Sequence, residues 1–215
     1  MDDACILVSD CDSVSMELFL PELQLAFDSM PDEVLASYVR DAAIQFCDRT
    51  SIVQQVLSLD FQCGVKDLLL IPLCGMRVVA IQKYSTYLNC DHFESPNTLR
   101  YLNVCGASSA RFVPPRVLRL STAPSQDRQD AMRVRVSVAP DRDACEIPSE
   151  LYQRYHRAII AGVKAEIYTL DKWANPALAA RNDKIFEAAC TVANIDRMLN
   201  YHRGPTQMRS RSRIV

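Results

Sequence analysis

Apolar and polar residues change their spacing several times along the chain, and each change predicts a change of structure. Over residues 33–48 the apolar positions are Val34, Leu35, Tyr38, Val39, Ala42, Ala43 and Phe46. Steps of three and four place them on one stripe of an α-helix, with Ser29 or Asp32 available as the cap and Pro31 suited to its start. Ahead of it, residues 18–27 predict a short helix or turn with a break at Pro21. From residue 51 to residue 138 no helical period is sustained, and short β-prone runs alternate with turn formers. Val53, Leu57, Leu59 and Phe61 share one parity, residues 66–72 are a compact apolar run, residues 76–88 are rich in Val, Ile, Thr and Tyr, and residues 116–120 add a further short run. The cleanest alternation is 132–138, where Met132, Val134, Val136 and Val138 alternate with Arg133, Arg135 and Ser137, so that one face is buried and the other meets solvent or a partner. Residues 89–97 and 121–130 read as loops.

Helical spacing then returns. Pro148 and Ser149 open a helix that carries Leu151, Tyr155, Ala158, Ile159, Gly162, Val163 and Ile167 on one side. A glycine inside a helix costs about 1 kcal/mol against alanine, so Gly162 predicts a close helix crossing. Residues 171–174 interrupt the pattern, and Trp173, the only tryptophan, predicts a packing plug under that link. Asn175 and Pro176 form an N-cap and N1 pair for a last, long helix, with Leu178, Ala179, Ile185, Phe186, Ala189, Val192, Ala193 and Leu199 expected on its inner face. It ends near His202, ahead of Gly204-Pro205. The order helix, strands, two helices predicts an α+β fold: a helical bundle from the N- and C-terminal helices with an inserted antiparallel β-domain. The corresponding divisions are an N-terminal arm and first helix (1–50), the β-domain (51–145), the C-terminal helices (146–203) and an extended basic tail (204–215). Phe46, Leu151, Tyr155, Trp173 and Phe186 are the expected structural core.

Charge adds a feature that the periodicity hides. The net charge of the 215 residues is only −2, yet there is no Lys or Arg before Arg40, and that stretch carries Asp2, Asp3, Asp10, Asp12, Glu17, Glu22, Asp28, Asp32 and Glu33. After His202 come Arg203, Arg209, Arg211 and Arg213 with no acidic side chain. Such asymmetry predicts either two solvated ends or charge complementarity with a neighbour. The longest apolar stretch, 68–76, is broken by Pro72 and Gly75 and falls short of the roughly 20 residues that span a membrane. The acidic start is unlike a secretory signal, so a soluble protein that stays where it is made is expected. The nine cysteines are scattered without a C-x-x-C pair, which predicts free thiols serving as small core residues in a reducing compartment.

Candidate chemistry is sparse. The five glycines form no phosphate-cradling loop, and neither H-E-x-x-H nor G-x-S-x-G occurs. Cys90 and His92 lie close in sequence but lack a second ligand pair. Asp141, Asp143 and Glu146 read as a solvated turn rather than a calcium loop, which needs more ligands and a central glycine. His156 reads as solvated or locally paired, and His202 suits the negative end of the last helix. Arg133 and Arg135 share a strand face, and Arg116 and Arg119 are neighbours, but the aromatics, 7% of the chain, do not interleave with them as a stacking platform would. No catalytic residue, cofactor or metal is therefore expected; a nucleic-acid-binding module, or a small cysteine- or metal-dependent enzyme, stands as the alternative.

Several motifs resemble the head-to-tail adaptor (neck) proteins of short-tailed bacteriophages. At the front these are Leu20-Pro21, the Pro31-Asp32 turn and the Ala42-Ala43-Ile44-Gln45-Phe46-Cys47-Asp48-Arg49-Thr50 run, followed by β-prone residues 53–59. At the back they are Ile147-Pro148-Ser149-Glu150-Leu151, Tyr155, Ile159-Ile160-Ala161-Gly162, Trp173-Ala174-Asn175-Pro176, Ala179-Ala180, Phe186 and the Arg-rich terminus. The resemblance covers roughly the two end portions of the chain; the nine cysteines and the 121–130 loop depart from the family pattern. It implies a structural virion protein, not an enzyme, assembled in the host cytoplasm as a dodecameric ring beneath the portal. It further implies that the distal face receives the tail nozzle or other tail proteins, that genome DNA passes through with at most non-specific contact, and that the C-terminal tail binds the portal. On that reading Arg209, Arg211, Arg213, Ile214 and Val215 are the portal-binding residues. The arginines at every second position would share one side of an extended chain.

Overall fold

The structure, a computed structural model, describes residues 6–7, 13–72, 75–86 and 110–202. Met16–Phe19 form a 3-10 turn capped by Ser15, whose Oγ accepts from the Glu17 N–H at 3.2 Å. Helix α1 (Leu20–Gln24) follows directly. Pro21 stands in its first turn, where a missing N–H leaves nothing unsatisfied, so Pro21 opens a helix instead of breaking one. Helix α2 spans Asp32–Thr50. Its cap is Pro31 and neither Ser29 nor Asp32 serves; Asp32 and Glu33 supply negative charge to the first turn instead. Asp32 also accepts from Gln24 Nε2 at 2.7 Å, which fixes the α1–α2 corner.

The strands are β1 (Ile6–Leu7), β2 (Ser13–Ser15), β3 (Val53–Phe61), β4 (Asp67–Leu69), β5 (Met76–Thr86), β6 (Ala110–Val113), β7 (Val117–Leu120), β8 (Arg128–Pro140) and β9 (Glu146–Pro148). They form a main sheet in the order β1-β3-β8-β5, a small sheet β4-β7-β6, and a β2-β9 pair. Every pairing is antiparallel except that of β1 with β3, which is parallel. Met132, Val134, Val136 and Val138 on β8 are buried, as their alternation requires, while Arg133 is exposed. The alternation fades toward the end of β8, where Ser137 and Ala139 are buried too. The β region is inserted between the helices of an α+β fold, but it does not stand clear of them. Helix α2 packs on β8, and one continuous core joins Phe61 and Val136 to Phe46 and Leu151.

Helices α3 (Ser149–Ile167) and α4 (Pro176–His202) complete the fold, linked through a 3-10 turn at Asp171–Trp173. Asn175 Oδ1 accepts from the Leu178 N–H at 3.1 Å, and Pro176 occupies the first position of α4. Two devices tie the front of the chain to the back. The β2–β9 pair sets Ser13 opposite Pro148 and carries a Ser13–Glu146 side-chain hydrogen bond. Arg40 on α2 donates to the carbonyls of Ala144 (2.8 Å) and Arg142 (2.9 Å) in the turn before β9.

One expected face is corrected. On α4 the residues turned inward are Phe186, Cys190 and Ala193, while Ile185 and Val192 face out at 44% and 55% exposure. One residue along a helix is a rotation of about 100°, so burying Phe186 carries Ile185 toward the opposite side.

Candidate functional site

The three long helices cross at Gly162. A Cβ built there would lie 2.9 Å from Phe186 Cδ2 on α4 and 3.3 Å from Ala42 Cβ on α2, so the close approach needs a residue without a side chain. Around this point the buried Phe186 ring meets Phe46 edge-on at 6.0 Å, and Phe46 lies 4.8 Å from Tyr155. Leu151 is fully buried one turn earlier on α3. Over the junction the Arg49 guanidinium sits 5.7 Å from the Phe186 ring and pairs with Glu187, and Asn194 Nδ2 donates to the Arg49 carbonyl at 3.3 Å. Trp173 is only half-buried: its ring meets Phe27 edge-on at 6.1 Å while Lys172 Nζ lies 4.6 Å from its centroid, so it flanks the core instead of filling it.

An open groove of about 700 Å³ runs beside this crossing, bordered by Gln45, Arg49, Gly162, Glu166, Ala180 and Phe186 among others. Partial burial, with Asp41 nearby, raises the Glu166 carboxyl above its ordinary range. Arg49 is already engaged by Glu187. Among the described residues, no three His, Cys, Asp or Glu side chains gather as a metal site would require.

The acidic cluster is drawn apart. Asp141 pairs with Arg116 at 3.2 Å, whereas Glu146 is held by Ser13. Arg119 is gripped by both oxygens of Asp67 at 2.7 and 2.9 Å, and Arg77 by both oxygens of Asp48 at 2.7 and 2.6 Å. Arg133 and Arg135 do share a face of β8, opposite Ser58 and Val56 on β3. His156 is half-buried, stacked on Phe19 at 4.9 Å, with Nδ1 3.9 Å from Glu22. Four free cysteines fall among the described residues: Cys47 and Cys190 are core residues, but Cys63 and Cys145 are exposed in turns, contrary to the expectation for them. Burial pushes the Cys47 thiol far above its ordinary value and raises Cys190 as well, which leaves both poor nucleophiles.

Arg209, Arg211, Arg213, Ile214 and Val215 lie outside the described residues, as do Cys90, His92 and the side chain of His202. No helix among the described residues is long and apolar enough to cross a membrane. What the periodicity missed is the outward face of α4, where Ile185, Val192, Ile195 and Met198 are all exposed. Their steps of seven and three were a readable signal, masked by the apolar residues on the opposite side. Compared with protein-family models and with curated proteins, the chain matches none.

Proposed function

We propose that this chain is a structural adaptor subunit. Twelve copies form a ring that joins the portal of a phage head to the tail nozzle and leaves a passage for the genome. What supports the reading is where the resemblance motifs fall in the fold. The Ala42-Ala43 to Phe46-Cys47 run, the Ile159 to Gly162 run and Phe186 come from three separate helices, yet they meet at one crossing. The motifs are thus the packing core of a bundle assembled from the two ends of the chain. A bundle of this kind is a rigid body suited to repetition around an axis, and α4 leads directly into the basic C-terminal residues. Those residues, 204–215, are the proposed anchor: Arg209, Arg211 and Arg213 pair with acidic groups of the portal, and Ile214 and Val215 fill an apolar pocket. A dozen short tails acting together would bind with high avidity even if each is weak.

The test is decoration of purified portal rings, followed by electron microscopy and sedimentation. Removing residues 206–215 leaves the helical core intact, and the truncated subunit is expected to bind the portal at least about tenfold more weakly. Raised salt is expected to weaken the intact complex, because exposed ion pairs are screened. Full decoration by the truncated subunit in the same buffer would place the anchor on the folded domain instead.

A further inference from the structure

We infer that the outward face of α4 on one subunit docks on the acidic α1 surface of the next copy of this chain, in a head-to-tail contact. The inference rests on the ring reading above and names the two surfaces that would meet. The first is the stripe Ile185, Val192, Ile195 and Met198, exposed by 44, 55, 49 and 56%. Three charged residues stand on or beside that side: Arg181 and Lys184 are exposed and make no ion pair among the described residues, whereas Asp196, one turn beyond Val192, is partly buried and already engaged. The acidic Glu187 of α4 is spent on Arg49. An apolar stripe whose exposed, unpaired charges are cations calls for an apolar surface bearing anions.

The α1 surface has that composition. Leu18 and Leu25 are exposed by 48% and 89%, beside exposed Pro21. Around them stand Glu17, Glu22 and Asp28, and no Lys or Arg occurs before Arg40. Glu22 is shared with Lys164 at 3.0 Å and faces His156 at 3.9 Å, and Lys172 donates to Ser29 at 2.7 Å, but Glu17 and Asp28 make no ion pair among the described residues, so the unpaired charge here is acidic. Two incomplete surfaces of opposite charge on one chain complete each other only across a subunit boundary.

Their placement sets the geometry. Lys164 on α3 reaches α1 through Glu22, whereas Gly162, two positions earlier, faces Phe186 of α4. Two residues turn a helix by about 200°, so α1 and α4 lie on opposite flanks of α3. A contact between unlike surfaces on opposite flanks is heterologous, and every copy is satisfied only when the chain of contacts closes into a ring. A two-fold α4–α4 contact would leave Leu18 and Leu25, with the unpaired Glu17 and Asp28, in water.

The experiment uses the full chain without portal, at up to about 1 mM, the local concentration that tethering on a ring supplies. Ile195→Glu spoils only the α4 surface, and Leu25→Glu only the α1 surface. Both sites are exposed, and matching melting curves check that each variant folds. The wild type is expected to form species larger than a dimer in sedimentation velocity. Each variant alone is expected to stay monomeric, with association weakened about tenfold or more. An equimolar mixture retains one good surface of each kind and is expected to stop at a 1:1 dimer. The inference is overturned if the wild type remains monomeric, if either variant associates as the wild type does, or if the mixture forms no dimer. None of these readouts involves the portal. Failure of portal binding would therefore remove the adaptor reading and leave the contact standing, and the reverse also holds.

Discussion

The close crossing at Gly162 makes a prediction in which two known effects oppose each other. Gly162→Ala gains helix propensity of about 1 kcal/mol, because alanine has less backbone freedom to lose. Against this stands the new methyl, 2.9 and 3.0 Å from two carbons of the Phe186 ring and 3.3 Å from Ala42 Cβ. Ala42 has no flexible end to move. Phe186 is 3% exposed and held between Phe46 and Arg49, so its ring can yield only toward the groove it borders, at the cost of those contacts. Overpacking of this kind costs roughly 1–3 kcal/mol, which leaves a net destabilisation of about 1 kcal/mol and a fall in Tm of about 2–4 °C. Urea denaturation followed by helix circular dichroism measures it, and the denaturant slope should be unchanged. The decisive comparison repeats the substitution in a Phe186→Leu background. There the clash is relieved, and Gly162→Ala is expected to be neutral or stabilising by up to about 1 kcal/mol. A stabilising Gly162→Ala in the natural background, or an equal penalty in both, would refute the account of a crossing limited by Phe186.

Two further outcomes are expected. The raised Glu166 carboxyl means that the folded chain holds this proton more readily than the unfolded one, so stability falls as pH rises from the ordinary carboxylate range through the raised value. Glu166→Gln is therefore expected to raise Tm at neutral pH, with the gain vanishing below the ordinary carboxylate range; a pH series of melting curves checks this. In the native protein at pH 8, iodoacetamide is expected to label Cys63 and Cys145 while sparing Cys47 and Cys190, which react only after unfolding; peptide mass spectrometry reads the sites.

Local patterns in the chain determined a good deal by themselves. The three-and-four spacing around Leu35, Val39, Ala42 and Phe46 fits only a helix with one buried stripe, and these residues are buried on α2. The alternation at 132–138 fits only a strand, and Asn175-Pro176 opens α4 because cap and N1 preferences act within a single turn. Gly162 announced a crossing because a helix tolerates glycine at a cost that something must offset. The α+β class follows from the order of these elements.

Tertiary structure decided which surfaces meet. Apolar residues on α4 are scattered around its axis among polar ones, so period alone could assign Ile185 and Phe186 to one face. The gap above Gly162 accepts one ring, and it takes Phe186, turning Ile185, Val192 and Ile195 outward. Likewise nothing local predicted that Arg40 would reach the carbonyls of Arg142 and Ala144, about a hundred residues along the chain, or that β1 would lie parallel to β3. Periodicity reports how a residue sits relative to its own helix or strand. The partner for that face is set by a fit of shape and charge between segments distant in the chain, and that fit exists only once they are folded together.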